Sequence, residues 1–375
     1  MSSKVYIYKV KGYKKKKIKK VVRRYFKNRI SSEYFKNKNI LLKPNMLQAH
    51  RPEENVTTHP AVVEAVGEVI KDRGGNCAIG DSPSGWGKKN TRKAAEETGF
   101  LEVCRKLNID FDFFSGQKTK RVNIPEGKVY SEVYLPESYF NYDIIINIPK
   151  LKTHSLTVFT LGVKNMLGLI PGAAKSEFHS RAPHPKKLAY ALADLYRAVQ
   201  PDFTVLDGIE GMEGSGPVGG KTVKLNRIFA SRDTNALDAC VAKMCGIKPE
   251  KVPLTREVYV RKMGNIKDIT VKKDYRKENP GFQNFKISPV SVLGTKLPLW
   301  ALNFISPLLF FRPVCNEKKC VKCSRCKQVC PADAIYFKEG YPRFDLDRCI
   351  KCFCCGERCP ETAIGESKNL LAQFF

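Results

Sequence analysis

The chain alternates short apolar runs with stretches whose apolar residues recur at helical spacing. Val5-Tyr6-Ile7-Tyr8 is the first such run and predicts a strand. Ile18, Val21, Val22, Tyr25 and Phe26 then fall on one helical face, with lysines and arginines between them from Lys14 to Arg24. This predicts an amphipathic helix with a solvated cationic face. Ile40-Leu41-Leu42 predicts a buried strand ending at Lys43-Pro44-Asn45. His59-Pro60 opens a helix, with Thr58 as its expected cap, that carries Val62, Val63, Val66, Val69 and Ile70 to Gly74-Gly75. Further strands are expected over 77–79, 109–113, 143–148, 203–206 and 226–230, and further helices over 91–107, 186–199 and 234–245. The run 143–148 is the most apolar of the strands.

This alternation predicts an α/β fold, a mostly parallel sheet flanked by helices. In such sheets the loops after the carboxyl ends of the strands gather into a ligand crevice. Those loops are Lys43-Pro44-Asn45, Gly80-Asp81-Ser82-Pro83, 149–154, 162–168 and the glycine-rich 207–217. Lys150, Lys152, His154, Lys164, Asp81 and Glu213 are the candidate catalytic residues. Lys43, Lys175 and His179 would add positive charge to the same rim, suited to a phosphate or carboxylate. Asp207 and Glu210 join Asp81 and Glu213 as acid/base groups or cation ligands. The bland alternative is a set of exposed lysines, a structural histidine and ordinary glycine turns. The run 214–220 has neither a P-loop Lys-Ser/Thr ending nor a Gly-x-Gly-x-x-Gly fingerprint, so no nucleotide site is read from it.

The strongest chemical signal lies further on. Cys320-x2-Cys323-x2-Cys326-x3-Cys330-Pro331 is repeated 29 residues later as Cys349-x2-Cys352-x2-Cys355-x3-Cys359-Pro360. Three thiolates at this spacing grip one face of an iron–sulfur cube, and in the bacterial arrangement the fourth cysteine ligates the other cluster. Two [4Fe–4S] clusters are therefore expected. Cys320, Cys323, Cys326 and Cys359 would hold one, and Cys349, Cys352, Cys355 and Cys330 the other. Structural zinc favours two separated cysteine pairs. A disulfide framework fits poorly with an N-terminus that has no secretory pattern. The segment 313–366 resembles a bacterial-type two-cluster ferredoxin domain, which implies a small α+β fold. Cys77, Cys104, Cys240 and Cys245 read as small buried apolar groups. Cys315 and Cys354 lie outside the 29-residue register.

The 375 residues are too many for one ferredoxin module, and 42% hydrophobic composition supports a substantial core. The domains expected are 1–247 α/β, 248–312 connector, 313–366 two-cluster module and 367–375 tail. A formal charge of +29 points to an acidic redox protein as partner, or to an anionic small-molecule substrate. No nucleic-acid motif accompanies that charge, so a nucleic-acid-binding iron–sulfur protein is the minor alternative. Within the connector, 297–311 is apolar for 15 residues and holds two prolines. It is shorter than the ~20 residues of a membrane span. It is expected to pack between domains or to touch a membrane surface beside Lys296 and Arg312. A cytoplasmic, membrane-associated location follows as the expectation.

The strings INIPKLKTH, GVKNMLGLIPG, LDGIEGMEGSGPVGG and DTNALDA resemble the family described as domain of unknown function 362, over about residues 38–247. That resemblance implies an anaerobic redox setting and an iron–sulfur electron-transfer role, since its members often carry a two-cluster ferredoxin module. It supplies no reaction. Electron carriage is the first functional reading, and a reductase-type enzyme fed by the clusters is the second.

Overall fold

The computed structural model describes the chain apart from residues 1, 28, 84–87, 155, 183, 276–280, 283, 288–311, 331, 350–353, 362 and 368–375. The side chains of 32, 88, 89, 173, 176, 177, 179, 180, 312, 357, 366 and 367 also fall outside the description. The apolar run 297–311 and Cys352 thus lie outside the described residues.

Strands β1 (Ser3–Lys9), β2 (Asn39–Pro44), β3 (Asn76–Asp81) and β4 (Asp110–Phe113) come first, then a hairpin of β5 (Thr119–Asn123) and β6 (Glu132–Pro136). They are followed by β7 (Ile144–Ile148), β8 (Lys150–His154), β9 (Val158–Thr160), β10 (Phe203–Glu213), β11 (Lys221–Ser231) and β12 (Ile269–Lys273). The main sheet runs β12-β1-β11-β10-β7-β2-β3-β4, with β8 against β10 and β9 against β8. From β10 to β4 every neighbour is parallel. β11 is antiparallel to both β1 and β10, so the sheet is mostly parallel with one reversed strand inside it.

The strands that build the centre are apolar on both sides, as a sheet covered on two faces requires. Ile40, Leu42, Ile144, Ile146 and Ile148 pack on one face against α1 (Lys15–Lys27), α2 (Pro60–Lys71) and α4 (Phe100–Leu107). Leu41 and Ile145 face the opposite layer, which holds Leu188, Leu192 and Tyr196 of α5 (Pro185–Ala198) and Leu254 and Val258 of α6 (Pro253–Val260). Period-two alternation along β2 and β7 therefore divides the core into two layers, each buried aliphatic side chain contributing roughly 1.5–3 kcal/mol.

Several expectations are corrected. The cationic face of α1 is in part a docking face, because Lys15, Lys19 and Arg23 climb a ladder of Glu64 and Glu68 on α2 and Asp72 at its C-terminal cap. Helix α2 is capped by His59, whose Nδ1 accepts the Ala61 N–H at 3.1 Å. Thr58 is engaged elsewhere, donating to the Ile148 carbonyl at 2.6 Å. The helix expected over 91–107 is two, α3 (Lys88–Glu97) and α4, broken where Gly99 takes φ +77°. The expected loops 149–154 and 207–217 are largely the strands β8 and β10. The connector expected from 248 begins with α6 and β12, and β12 pairs in parallel with β1 at the edge of the main sheet.

The C-terminal segment is a small α+β unit. Strands Arg312–Cys315 and Ile364–Ser367 pair antiparallel, Ile335–Lys338 and Tyr341–Phe344 form a hairpin, and short helices span Arg325–Gln328 and Cys354–Arg358. Its buried centre is Cys326 with Ile335 and Cys355 with Ile364, the same two positions in each copy of the repeat. Among the described residues no helix is long and apolar enough to cross a membrane.

Candidate functional site

In the C-terminal unit Cys320, Cys323, Cys326 and Cys359 line one cavity, with Phe337, Pro342, Ala363 and Ile364 completing its wall. Three of these cysteines come from the first motif and one from the second. Four thiols around an apolar pocket are the donor set an iron–sulfur cube takes. Among the described residues no three His, Cys, Asp or Glu side chains meet closely enough to hold a single ion. The repeat also places one backbone donor on each fourth cysteine. Cys330 Sγ accepts the Ala334 N–H at 3.2 Å, and Cys359 Sγ accepts the Ala363 N–H at 3.1 Å. Of the other cysteines in the second expected set, Cys355 is buried and Cys330 and Cys349 are half-buried. Cys315 ends a strand and Cys354 starts a helix.

The α/β domain collects its polar residues at the carboxyl edge of the parallel strands. At the ends of β2 and β3, Lys43 and Asp81 form an ion pair at 3.0 Å, 0% and 2% exposed. Lys43 Nζ also donates to the Pro44 carbonyl at 2.7 Å, while the Met46 and Ser82 N–H groups donate to Asp81. Burial pulls the Lys43 ammonium below the usual lysine range and pushes the Asp81 carboxyl up, and their attraction opposes both. Gly168 closes over this pair, because a Cβ there would overlap Asp81 Oδ1 and Lys43 Nζ.

Alternation along β8 puts Lys150, Lys152 and His154 on one face, and all three are buried. Lys150 Nζ meets Asp207 Oδ2 at 3.0 Å, Asn55 Oδ1 at 3.1 Å and the Tyr13 hydroxyl at 2.8 Å. That hydroxyl donates to Asp207, and the Tyr13 ring stacks on His59 with centroids 3.6 Å apart. Burial is the main cause that lowers Lys150 and His59 and raises Tyr13. Lys152 donates to the Val56 carbonyl at 2.6 Å. His154 Nδ1 accepts from Leu156 N–H and Thr157 N–H, which puts the proton of the neutral ring on Nε2. Val158, opposite His154 on β9, is held at φ +68°, a costly conformation for a β-branched residue.

The remaining candidates lie nearby or apart. Lys164 is half-buried on the short helix Gly162–Asn165. Lys175 donates to the Ser82 carbonyl, which ties helix Gly172–Arg181 to the end of β3. Glu210 accepts Asn55 Nδ2 at 2.9 Å, and Glu213 accepts the Lys286 N–H at 2.9 Å. The His179 side chain lies outside the described residues. The expected crowding of one rim by lysine charge is therefore corrected. Lys43 and Lys150 are buried against carboxylates, and Lys152 against a carbonyl.

Sequence alone gives no individual role to Tyr13, Asn55, Asn147 or Asp238, and reaches Asn165 only as a member of the loop 162–168. Asp238 accepts the Gly162 and Val163 N–H groups at 2.8 and 2.9 Å, fixing that short helix over the sheet. Asn147 alone left a signal, as the one amide in an otherwise isoleucine strand.

Comparison with known proteins places both parts. The thylakoid-associated protein sll1697 of Synechocystis sp. is 33% identical over 215 residues, 57% of this chain and 65% of that protein. Ketoisovalerate oxidoreductase subunit VorD of Pyrococcus furiosus is 46% identical over 61 residues, 16% of this chain and 53% of the subunit. The chain thus spans just under two thirds of the first relative and about half of the second. A solved structure of the lactate racemase apoprotein from Thermoanaerobacterium thermosaccharolyticum aligns at TM-score 0.39 and 14% identity, covering 60% of this chain and 54% of that one. A 4Fe-4S dicluster domain matches residues 312–360, which gives the chain an iron–sulfur electron-transfer role with [4Fe–4S] clusters as its cofactors. The match to residues 40–243 covers more than half of the sequence, and the chain belongs to the family described as domain of unknown function (DUF362).

Proposed function

We propose that the C-terminal unit carries single electrons through two [4Fe–4S] clusters. One would be held by Cys320, Cys323, Cys326 and Cys359, and the other by Cys349, Cys352, Cys355 and Cys330. The observation that carries this reading is the cavity lined by cysteines of both motifs. Each cluster, when bound, supplies a one-electron redox step. The chain's own residues set the surroundings: the N–H groups of Ala334 and Ala363 stabilise negative charge on the Cys330 and Cys359 sulfurs, favouring the reduced state. Ile335, Ile364 and Phe337 keep water from that side. Exposed Lys318, Lys319 and Lys322 beside the first motif suit an acidic redox protein as the electron partner. Anaerobically purified protein should hold about eight irons and eight labile sulfides per chain, as two such clusters require. Zinc in place of iron and sulfide overturns the reading.

A second reading gives the α/β domain a substrate. It is favoured by the convergence of Lys43, Asp81, Lys150 and Asp207 at the carboxyl edge, where α/β proteins bind ligands. The domain would bind a small anionic molecule that the clusters reduce. Anaerobic reoxidation of the reduced protein by candidate carboxylates and phosphates tests this, and no acceleration by any of them leaves carriage alone. We further propose contact with a membrane surface, which the thylakoid-associated relative supports.

A further inference from the structure

Three side-chain amides form a one-way relay at the carboxyl edge. Asn147 Nδ2 donates to the Gly162 carbonyl at 2.9 Å, a group that can only accept. The Asn147 oxygen therefore faces Asn165, whose Nδ2 donates to it at 2.7 Å and also reaches the Lys43 and Pro44 carbonyls. Asn165 Oδ1 in turn receives Asn45 Nδ2 at 3.0 Å. Flipping any of the three would set oxygen against oxygen, so main-chain carbonyls at the far end dictate the whole orientation.

Asn45 Oδ1 heads this relay and finds no hydrogen-bond partner among the described residues. Its residue is only 9% exposed. The backbone is locked as well: Asn45 N–H donates to Thr58 Oγ1 at 2.9 Å and its carbonyl accepts the Thr58 N–H at 3.0 Å. Each donation along the relay leaves more electron density on the oxygen behind it, so the head is a strengthened acceptor. A buried acceptor of this kind is costly until a donor meets it.

Two further observations place a ligand there. Gln48 Nε2, His50 Nε2 and Thr57 Oγ1, in the same loop 45–58, are also buried without a partner among the described residues. The topology agrees independently. From β2 the sheet builds outward through β3 and β4, then the chain returns to β7 on the other side of β2. The carboxyl ends at such a reversal are where open α/β sheets bind ligands, and Asn45 and Asn147 stand on its two sides.

We infer that loop 45–58 and the ends of β2 and β7 form a binding site for a small polar organic molecule, whose hydroxyl or ammonium group donates to Asn45 Oδ1. Access requires the segment from Met46 to Thr57 to move. The inference does not depend on the redox reading, because binding alone tests it.

The test is anaerobic calorimetry on the full-length, cluster-loaded protein with probe pairs that differ by one donor. The pairs are glycolate against acetate and phosphoethanolamine against ethyl phosphate. The donor-bearing member of at least one pair should bind about tenfold or more tightly than its mate, the cost of leaving a buried acceptor unmet. Asn45→Ala should bring that ratio close to one at unchanged iron content. Asn45→Asp keeps an oxygen at the head, although its second oxygen loses the donation to Asn165 Oδ1, and should shift preference towards the ammonium probe. It carries the test if the alanine variant does not fold, and no shift overturns the proposal. Equal binding within both pairs overturns the proposal. So does failure of every donor-bearing probe to bind, or a crystal grown with the bound probe in which only water meets Asn45 Oδ1.

Discussion

Lys150 and Asp207 face each other across neighbouring strands, Nζ to Oδ2 at 3.0 Å, and neither side chain is exposed. Tyr13 bridges them, so a residue that follows the first strand is fastened to the middle of β10. Removing one partner strands the other charge in the core. Lys150→Met should cost about 3–5 kcal/mol in urea unfolding, whereas Lys150→Met with Asp207→Leu should recover much of it. A single variant as stable as the parent would show that water reaches the pair.

Gly168 gives a test of close approach rather than of backbone freedom. An alanine there would push into Lys43 and Asp81 at once. Gly168→Ala should lose about 1–3 kcal/mol, the usual cost of overpacking. Gly246→Ala, where a Cβ meets nothing but φ is +83°, should lose about 1 kcal/mol through strain alone. Equal losses would remove the packing argument.

Asp238 predicts a pH dependence. Burial pushes its carboxyl up to about 7, against the N–H groups of Val163 and Gly162, which favour the charged form. Its unfolded value lies near 3.9. Between these values the folded state keeps a proton that the unfolded state has lost, so this contribution is full below about pH 4 and is lost as pH rises through about 7. Its size is at most about 4 kcal/mol at 1.36 kcal/mol per unit. Urea midpoints of Asp238→Asn should vary less with pH than those of the parent from about pH 4 to 7. Parallel curves would remove Asp238 as the source.

The central strands were legible because burial on both faces leaves a plain apolar run, as at Ile40-Leu41-Leu42. Lys150 to His154 was not. Its alternation of Lys, Leu, Lys, Thr and His is a strand pattern with the charged side turned inward. The partners that make this tolerable, Asp207, Asn55 and the Val56 carbonyl, are distant in sequence. The same holds for α1, whose cationic face could be seen but whose ladder of acidic partners on α2 could not. The cysteine spacing stands out in the sequence itself, because cluster ligation demands fixed intervals between thiolates.

Cysteine replacement separates ligands from bystanders. Cys323→Ala should remove about one cluster's iron, roughly four atoms, and destabilise a unit whose centre is largely cysteine. Cys354→Ala should keep the full iron content. Iron loss from Cys354→Ala and retention by Cys323→Ala would reassign the register.

Partner reduction should be salt-sensitive. If Lys318, Lys319 and Lys322 steer an acidic redox protein, the second-order rate should fall about tenfold or more from low to physiological ionic strength, where screening sets in beyond about 8 Å. A rate indifferent to salt would exclude electrostatic docking.

Strand β1 is hydrogen-bonded only to strands from the far end of the α/β domain, with Val5 opposite Ser231 on β11 and Val271 on β12. On a ribosome this strand emerges well before its partners and must wait until nearly the whole α/β domain has been synthesised. Its unpaired Val5 and Ile7 then stay exposed until β11 and β12 follow. Sequence separation of this size slows folding, and it makes the newly made chain a client for chaperones until β12 is released. By that time the first cysteine motif, some fifty residues downstream, is close behind. Completion of the sheet and delivery of iron and sulfide would then fall within one short window of synthesis.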